Sequence, residues 1–451
     1  MVPVKRLLNA VTIGAMCLLP LPAMAESLAD ALTAAYRNSN LLEQNRAVLR
    51  AADEDVAQTA ALLRPVLTLN ADTDYTRTQF SEGLSASLSL TASLTLYDFG
   101  RSKAAREAAK QSVLATRQSL IGVEQDVLLN AVKAYVSVRQ QQDAVVLREA
   151  NVRLITQELR AANDRFEVGE VTRTDVSIAD ARLASARSSL AEAQGALTVA
   201  RENYRLAVGN YPGVLDPLPT PPKLARTLDE ARSIGMRTHP TVRQLQFEVA
   251  ASEANVALAK ANMNPSLSGR AYLKDGKQGG DTKSLSLNFN QTLYNGGKSS
   301  SLYRQALARR DSTRSRLLFS TSAVAQRVAL AWSDLTVANA KIASSDRQIE
   351  SAQTAYDGVR EEAKLGARTT LDVLNAEQEV LTAKNTRLSA NASRYIGVYA
   401  LLSEMGLLTV DHLKLGIPAY DPEAYYNAVQ NGPATSSQGK RLDRVLKAIG
   451  K

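Results

Sequence analysis

Few side chains in this sequence can do covalent or metal chemistry. The chain holds two histidines and one cysteine among 451 residues. His239 and His412 are isolated, without the spacing of metal ligands or a His-Glu-x-x-His pattern. His239 precedes Pro240, where a helix must break, so its expected role is structural. The sequence contains no glycine-rich phosphate loop and no Gly-x-Ser-x-Gly. No catalytic residue, metal or cofactor is expected, and the chain reads as a non-enzyme. Two carboxylates stand out by position. Asp175 and Asp372 each follow threonine near a predicted helix start, where an acidic side chain caps the helix and meets its positive end.

The elements that must position these residues are long. Hydrophobic residues make up 45% of the chain but aromatics only 5%, a balance suited to narrow helix–helix seams rather than a wide globular core. The formal charge is +9, yet the basic residues are scattered along helices and not clustered with aromatics, so no nucleic-acid partner is expected. Residues 1–25 read as a secretory signal. Lys5 and Arg6 precede the apolar run Val11 to Leu21, and Ala23-Met24-Ala25 is a small-x-small cleavage site before Glu26. The only cysteine, Cys17, lies in that segment, so a mature chain would have no disulfide. No later apolar run is long enough for a transmembrane helix. An exported chain of this kind is periplasmic, secreted or part of a β-barrel.

The sequence repeats itself once. Tyr97-Asp98-Phe99-Gly100 corresponds to Tyr294-Asn295-Gly296-Gly297, 197 positions on. Ala134-Tyr135 with Ala331-Trp332, Gly169 with Gly366, Asp175 with Asp372, and Gly209 with Gly406 keep that offset. Upstream, Leu28 with Leu228 and Pro65 with Pro265 stand 200 apart, so the difference falls between Pro65 and Tyr97. The expected plan follows from these matches. Repeat 1 spans 26–209, with a helix from about Ser27 to Leu63, a β-hairpin over 66–97 and a long helical hairpin over 101–208. A proline-rich linker covers 210–226. Repeat 2 spans 227–408, with a β-hairpin over 266–294 and a helical hairpin over 298–408. The tail, 409–451, is expected to be partly extended or disordered. Val176, Ala179, Leu183, Ala186, Leu190, Ala193, Leu197, Ala200, Tyr204 and Ala207 alternate spacings of three and four, a coiled-coil seam. Leu374, Leu381, Leu388, Tyr395 and Leu402 recur every seven in the second copy.

The hairpin segments alternate instead. Leu84, Ala86, Leu88, Leu90, Ala92, Leu94 and Leu96 fall on one face, with serines and threonines on the other. Leu67, Leu69, Ala71 and Tyr75 alternate likewise, as do Leu285, Leu287, Phe289 and Leu293, with one interruption at Gln291. Strands that are apolar on one face and polar on the other suit a barrel wall between lipid and water. Four strands cannot close a barrel, and open edges in lipid are prohibitively costly, so such a chain must oligomerise. Three copies would supply twelve strands. A soluble sandwich packed on the helices is the competing reading of the strands alone.

Taken together, the duplication, the two strand-to-helix junctions and the tip segments Arg165–Val176 and Leu365–Ala376 resemble the TolC family of outer-membrane efflux and secretion channels. The resemblance covers essentially the whole mature chain. It implies a mostly α fold with a small β part: a homotrimer whose twelve-stranded outer-membrane barrel continues as a periplasmic α-helical coiled-coil barrel. It implies a passive exit duct for efflux or type I secretion, docking a periplasmic adaptor and an inner-membrane transporter. Position by position, Arg368 matches an arginine that links neighbouring coils, and Thr174 and Asp175 match its partners. Asp372 matches an aspartate that forms a ring at the constriction. A second aspartate ring falls on Asn375 here, and a gate tyrosine on Ala363, which points to a weaker cation filter and a looser closed state. Gly169 and Gly366 are expected at the adaptor-docking tips. The alternative is a soluble periplasmic coiled-coil adaptor, although such a protein would ordinarily have one hairpin and a lipoyl-like domain.

Overall fold

The computed structural model describes residues 25–80, 82–276, 281–418, 420–430 and 444. The expected signal segment, apart from Ala25, and nearly all of the tail beyond 430 lie outside the described residues.

The described residues begin with two short helices, α1 (Leu28–Asn38) and α2 (Asn40–Ala61). A single helix was expected here. It breaks at Ser39, whose ψ of 107° is extended and whose hydroxyl accepts from the Leu42 backbone N–H at 3.2 Å. The short polar run Asn38-Ser39-Asn40 offers the backbone local hydrogen bonds that compete with helix continuation. Strands β1 (Val66–Arg77) and β2 (Glu82–Tyr97) follow, then α3 (Arg101–Glu167) and α4 (Arg173–Val208). At 1.5 Å per residue, the 67 residues of α3 extend roughly 100 Å.

The second copy repeats each piece: α5 (Leu228–Thr238), α6 (Pro240–Ala261), β3 (Ser266–Gly276), β4 (Thr282–Asn290), α7 (Lys298–Lys364) and α8 (Thr370–Glu404). Both long helices have 67 residues, and the break between α5 and α6 is enforced by Pro240. Strand β4 stops at Asn290, short of Tyr294, where the Gln291 amide donates to the Met263 carbonyl at 3.1 Å. Two short helices, α9 (Val410–Leu413) and α10 (Pro422–Val429), follow α8.

The tail differs from expectation as far as residue 430. It is folded against α2 and α3. Arg117 pairs with Glu423 at 3.1 Å and lies over the Tyr426 ring, and Tyr425 donates to Glu54 at 2.7 Å. Three tyrosines (Tyr420, Tyr425 and Tyr426) in an otherwise turn-rich segment supply the surface that holds it.

The main core lies where the short helices, the linker and the tail gird the long helices. Tyr135, Tyr204, Leu128, Val132, Leu401 and Leu402 are all fully buried there. Tyr135 donates to the carbonyls of Glu26 and Asp216, joining the chain start to the linker. Nearer the tips, the core thins to two small clusters. One holds Ile155, Ala162, Ala179, Leu183, Ala186 and Leu374, and the other holds Tyr356, Ala363, Val373 and Val380. Every member of the expected α4 seam is buried or half-buried.

Candidate gate and membrane face

The four strands form one antiparallel sheet in the order β1-β2-β3-β4. Its register aligns the apolar faces. Leu69 stands opposite Leu90, and Leu90 opposite Leu273; Leu67 opposite Ala92, Ala92 opposite Ala271, and Ala271 opposite Leu285. On the other face, Thr68, Thr91, Tyr272 and Ser284 line up in the same way. Among the described residues nothing covers the apolar face: Leu67 is 71% exposed, Leu84 62% and Leu285 87%. A soluble sandwich would bury these side chains against a second sheet, and the described residues contain only this one. β1 and β4 are both unpaired edges. No described helix is long and apolar enough to cross a membrane.

Each hairpin turns into its long helix through the same device. Asp98 accepts from the Ser102 backbone N–H at 2.7 Å, and Asn295 accepts from that of Ser299 at 3.3 Å. The two residues that follow have positive φ in both copies: Phe99 (52°) and Gly100 (92°), Gly296 (66°) and Gly297 (83°). The Tyr-Asp-Phe-Gly and Tyr-Asn-Gly-Gly junctions are therefore one conformation, with Phe99 adopting the left-handed region that Gly296 enters without penalty.

The tips are likewise a duplicated device. At the end of α3, the Glu170 N–H bonds the Arg165 carbonyl and the Gly169 N–H bonds that of Phe166. At the end of α7, Ala367 bonds Glu362 and Gly366 bonds Ala363. Both are Schellman closures, with glycine in the left-handed position at φ 82° and 79°. Three residues later the next helix starts in a capping box. The Thr172 hydroxyl accepts from the Asp175 N–H while the Asp175 carboxylate accepts from Thr172; Thr369 and Asp372 do the same.

The expected gate residues can be placed on this frame. The Asp372 carboxylate accepts from the Thr369 backbone N–H at 3.0 Å and from its hydroxyl at 2.9 Å. These bonds, helped by Arg368, hold its pKa below the usual carboxylate range, so it is ionised at neutral pH. Asp175 is lowered in the same way by Thr172. Arg368 bonds Glu362 of its own tip at 2.7 Å and touches neither Thr174 nor Asp175 within the chain. Thr174 is exposed on the first turn of α4. Asn375 accepts from Arg182 at 3.1 Å, a link between α8 and α4. Ala363 is buried against Val373 and Val380. His239 caps α6, its Nδ1 accepting from the Thr241 N–H, and burial beside Arg327 lowers its basicity to about 4.

One polar group near the tips escaped the reading of motifs. Glu377 is buried on α8, with Asn151 donating to its Oε1 at 2.6 Å. Its position carried the signal: it sits three residues after Leu374 and four before Leu381, a seam position occupied by a carboxylate. No described group of acidic, histidine or cysteine side chains could hold a metal ion.

Comparisons with known proteins agree with this architecture. The Outer membrane efflux protein family matches residues 31–210 and 236–407. The chain is 32% identical to the outer membrane efflux protein BepC of Brucella suis, over 91% of each. It is 24% identical to the outer membrane protein TolC of Escherichia coli, over 93% of this chain and 90% of that one. Among solved structures, that of CusC superposes with a TM-score of 0.76 at 21% identity, covering 85% of this chain and 92% of CusC. With long duplicated helices, an uncovered amphipathic sheet and matched tips, the chain belongs to the outer membrane efflux protein family.

Proposed function

We propose that three copies of this chain assemble into a passive duct through the outer membrane, and that the helical hairpins extend it into the periplasm. The observation that carries this reading is the sheet. It presents an uncovered apolar face, which is stable against lipid but not against water, and two open edges, which are not stable in lipid until strands from other copies close the wall. Three copies of four strands give a barrel wide enough for an aqueous lumen lined by the serine and threonine face. The chain itself performs no chemistry. Its tips dock a periplasmic adaptor working with an inner-membrane transporter, and the cargo is a small molecule or a secreted protein. A soluble adaptor is disfavoured by membership of an outer-membrane family and by two hairpins where such an adaptor has one.

At the tips, three Asp372 carboxylates brought together by the threefold axis would form a cation-binding constriction. Arg368 would exchange Glu362 for Thr174 and Asp175 of a neighbouring coil to hold the closed state. Gly169 and Gly366 would face the adaptor, since among the described residues nothing beyond the adjoining chain lies within 4 Å of where a Cβ would stand on either. Native mass measurement on protein extracted from outer membranes tests the assembly. Three chains per particle are expected; a carbonate-extractable monomer would overturn it.

A further inference from the structure

Within the duct read above, the contact between the two helical hairpins contains a buried carboxylate that the gate residues do not explain. Helix α8 has two packed faces. Val373 and Val380 join Tyr356 and Ala363 of α7, whereas Leu374 joins Ile155, Ala179 and Leu183 of the other hairpin. Glu377 lies one turn beyond Leu374 on that second face, about 7–8 Å along α8 from the capping Asp372. It is 7% exposed. Asn151 on α3 donates to its Oε1, but its Oε2 is buried without a hydrogen-bond partner.

The elements packed around it carry further charged groups. On α3, Glu158 is 8% exposed and acts on Glu377 as a like charge. On α7, Arg360 lies 3.6 Å from Glu158, and the buried Tyr356 hydroxyl, also without a partner, lies within the influence of Glu158, Arg360, Glu377 and Asp357. On α4, Arg182 is already engaged by Asn375. Arg360 balances one carboxylate, Glu158, and no second cation reaches Glu377. A carboxylate out of water, beside another, is stable only with a proton.

We propose that Glu377 is a proton-binding site joining the two hairpins just behind the gate: protonated, it lets α8 pack on α3; ionised, it drives the hairpins apart. Burial, with the Glu158 charge adding to it, raises its pKa to about 7 despite the Asn151 bond. The packed form holds the proton at acid pH, and its advantage is lost as pH rises from the ordinary glutamate range through about 7. The hairpin contact is thus tightest in an acidified periplasm, and the duct is correspondingly harder to open there.

Hydrogen exchange on the assembled trimer, corrected for the intrinsic pH dependence of exchange, reads this contact without relying on conduction. Between about pH 5.5 and about pH 8, amides of residues 370–382 and 148–160 should lose protection roughly tenfold. Glu377→Gln, neutral and of the same shape, should keep the acid-level protection at both pH values. Glu158→Gln should move the transition to lower pH, because Glu377 then ionises more easily. Wild-type protection that ignores pH, or a Glu377→Gln trimer that retains the wild-type profile, would overturn the proposal. If Glu377→Gln fails to assemble, the Glu158→Gln profile decides: an unshifted transition contradicts it. A protein that conducts normally yet shows no pH-dependent protection would separate the failure of this site from failure of the duct.

Discussion

Asp372 serves two purposes in this account, and the two can be measured apart. Its capping bonds to Thr369 act within one chain, whereas the constriction needs three copies. Asp372→Ala should weaken block of single-channel current by a trivalent cation, because three converging charges are lost. Unchanged block would assign Asp372 to capping alone. Thr369→Ala keeps the charge and removes the hydroxyl cap, and should cost about 1 kcal/mol in chemical denaturation while leaving block in place. Because hydrogen bonding lowers the Asp372 pKa, the contribution of its charged form is present at neutral pH. It is lost only as pH falls below the ordinary carboxylate range. The caps were legible in the sequence, since Thr-x-x-Asp before an apolar run is a local signal. The Arg368–Glu362 pair was not, because Glu362 is six residues back and is reached only once the Schellman turn folds the chain on itself. Glu377 was legible as a polar seam position, but its partner Asn151 lies on the other hairpin and has no sequence signal.

At the scale of elements, the duplication governs the architecture. The two 67-residue helices, the capping boxes and the paired left-handed glycines recur because the same local signals recur. Gly366→Ala places a Cβ at φ 79° and should destabilise the second tip by about 1–2 kcal/mol, read as a lower denaturation midpoint. Open space around that α-carbon means that the cost is conformational, not a clash. A result near zero would show that the tip readily adopts another turn. Leu183→Ala removes a 4%-exposed member of the α4 seam and should cost roughly 2–5 kcal/mol by the same assay. The break at Ser39 and the folded tail were not legible. The first has no proline to announce it, unlike Pro240. The second depends on Tyr420, Tyr425 and Tyr426 finding α2 and α3 across more than three hundred residues of chain.

At the scale of the whole molecule, the sheet is the incomplete part. Alternation in the sequence was enough to give each strand two chemically distinct faces. The register then merged four separate apolar faces into one. That face and both open edges point to assembly in lipid, and the long helices to a passage beneath it. The most direct measurement of this claim is single-channel recording of the purified protein in a planar bilayer. The account predicts discrete conductance steps from trimers, small in the closed state and enlarged by Arg368→Glu at the tips. A protein that inserts as a trimer yet gives no steps, before or after that substitution, would contradict it.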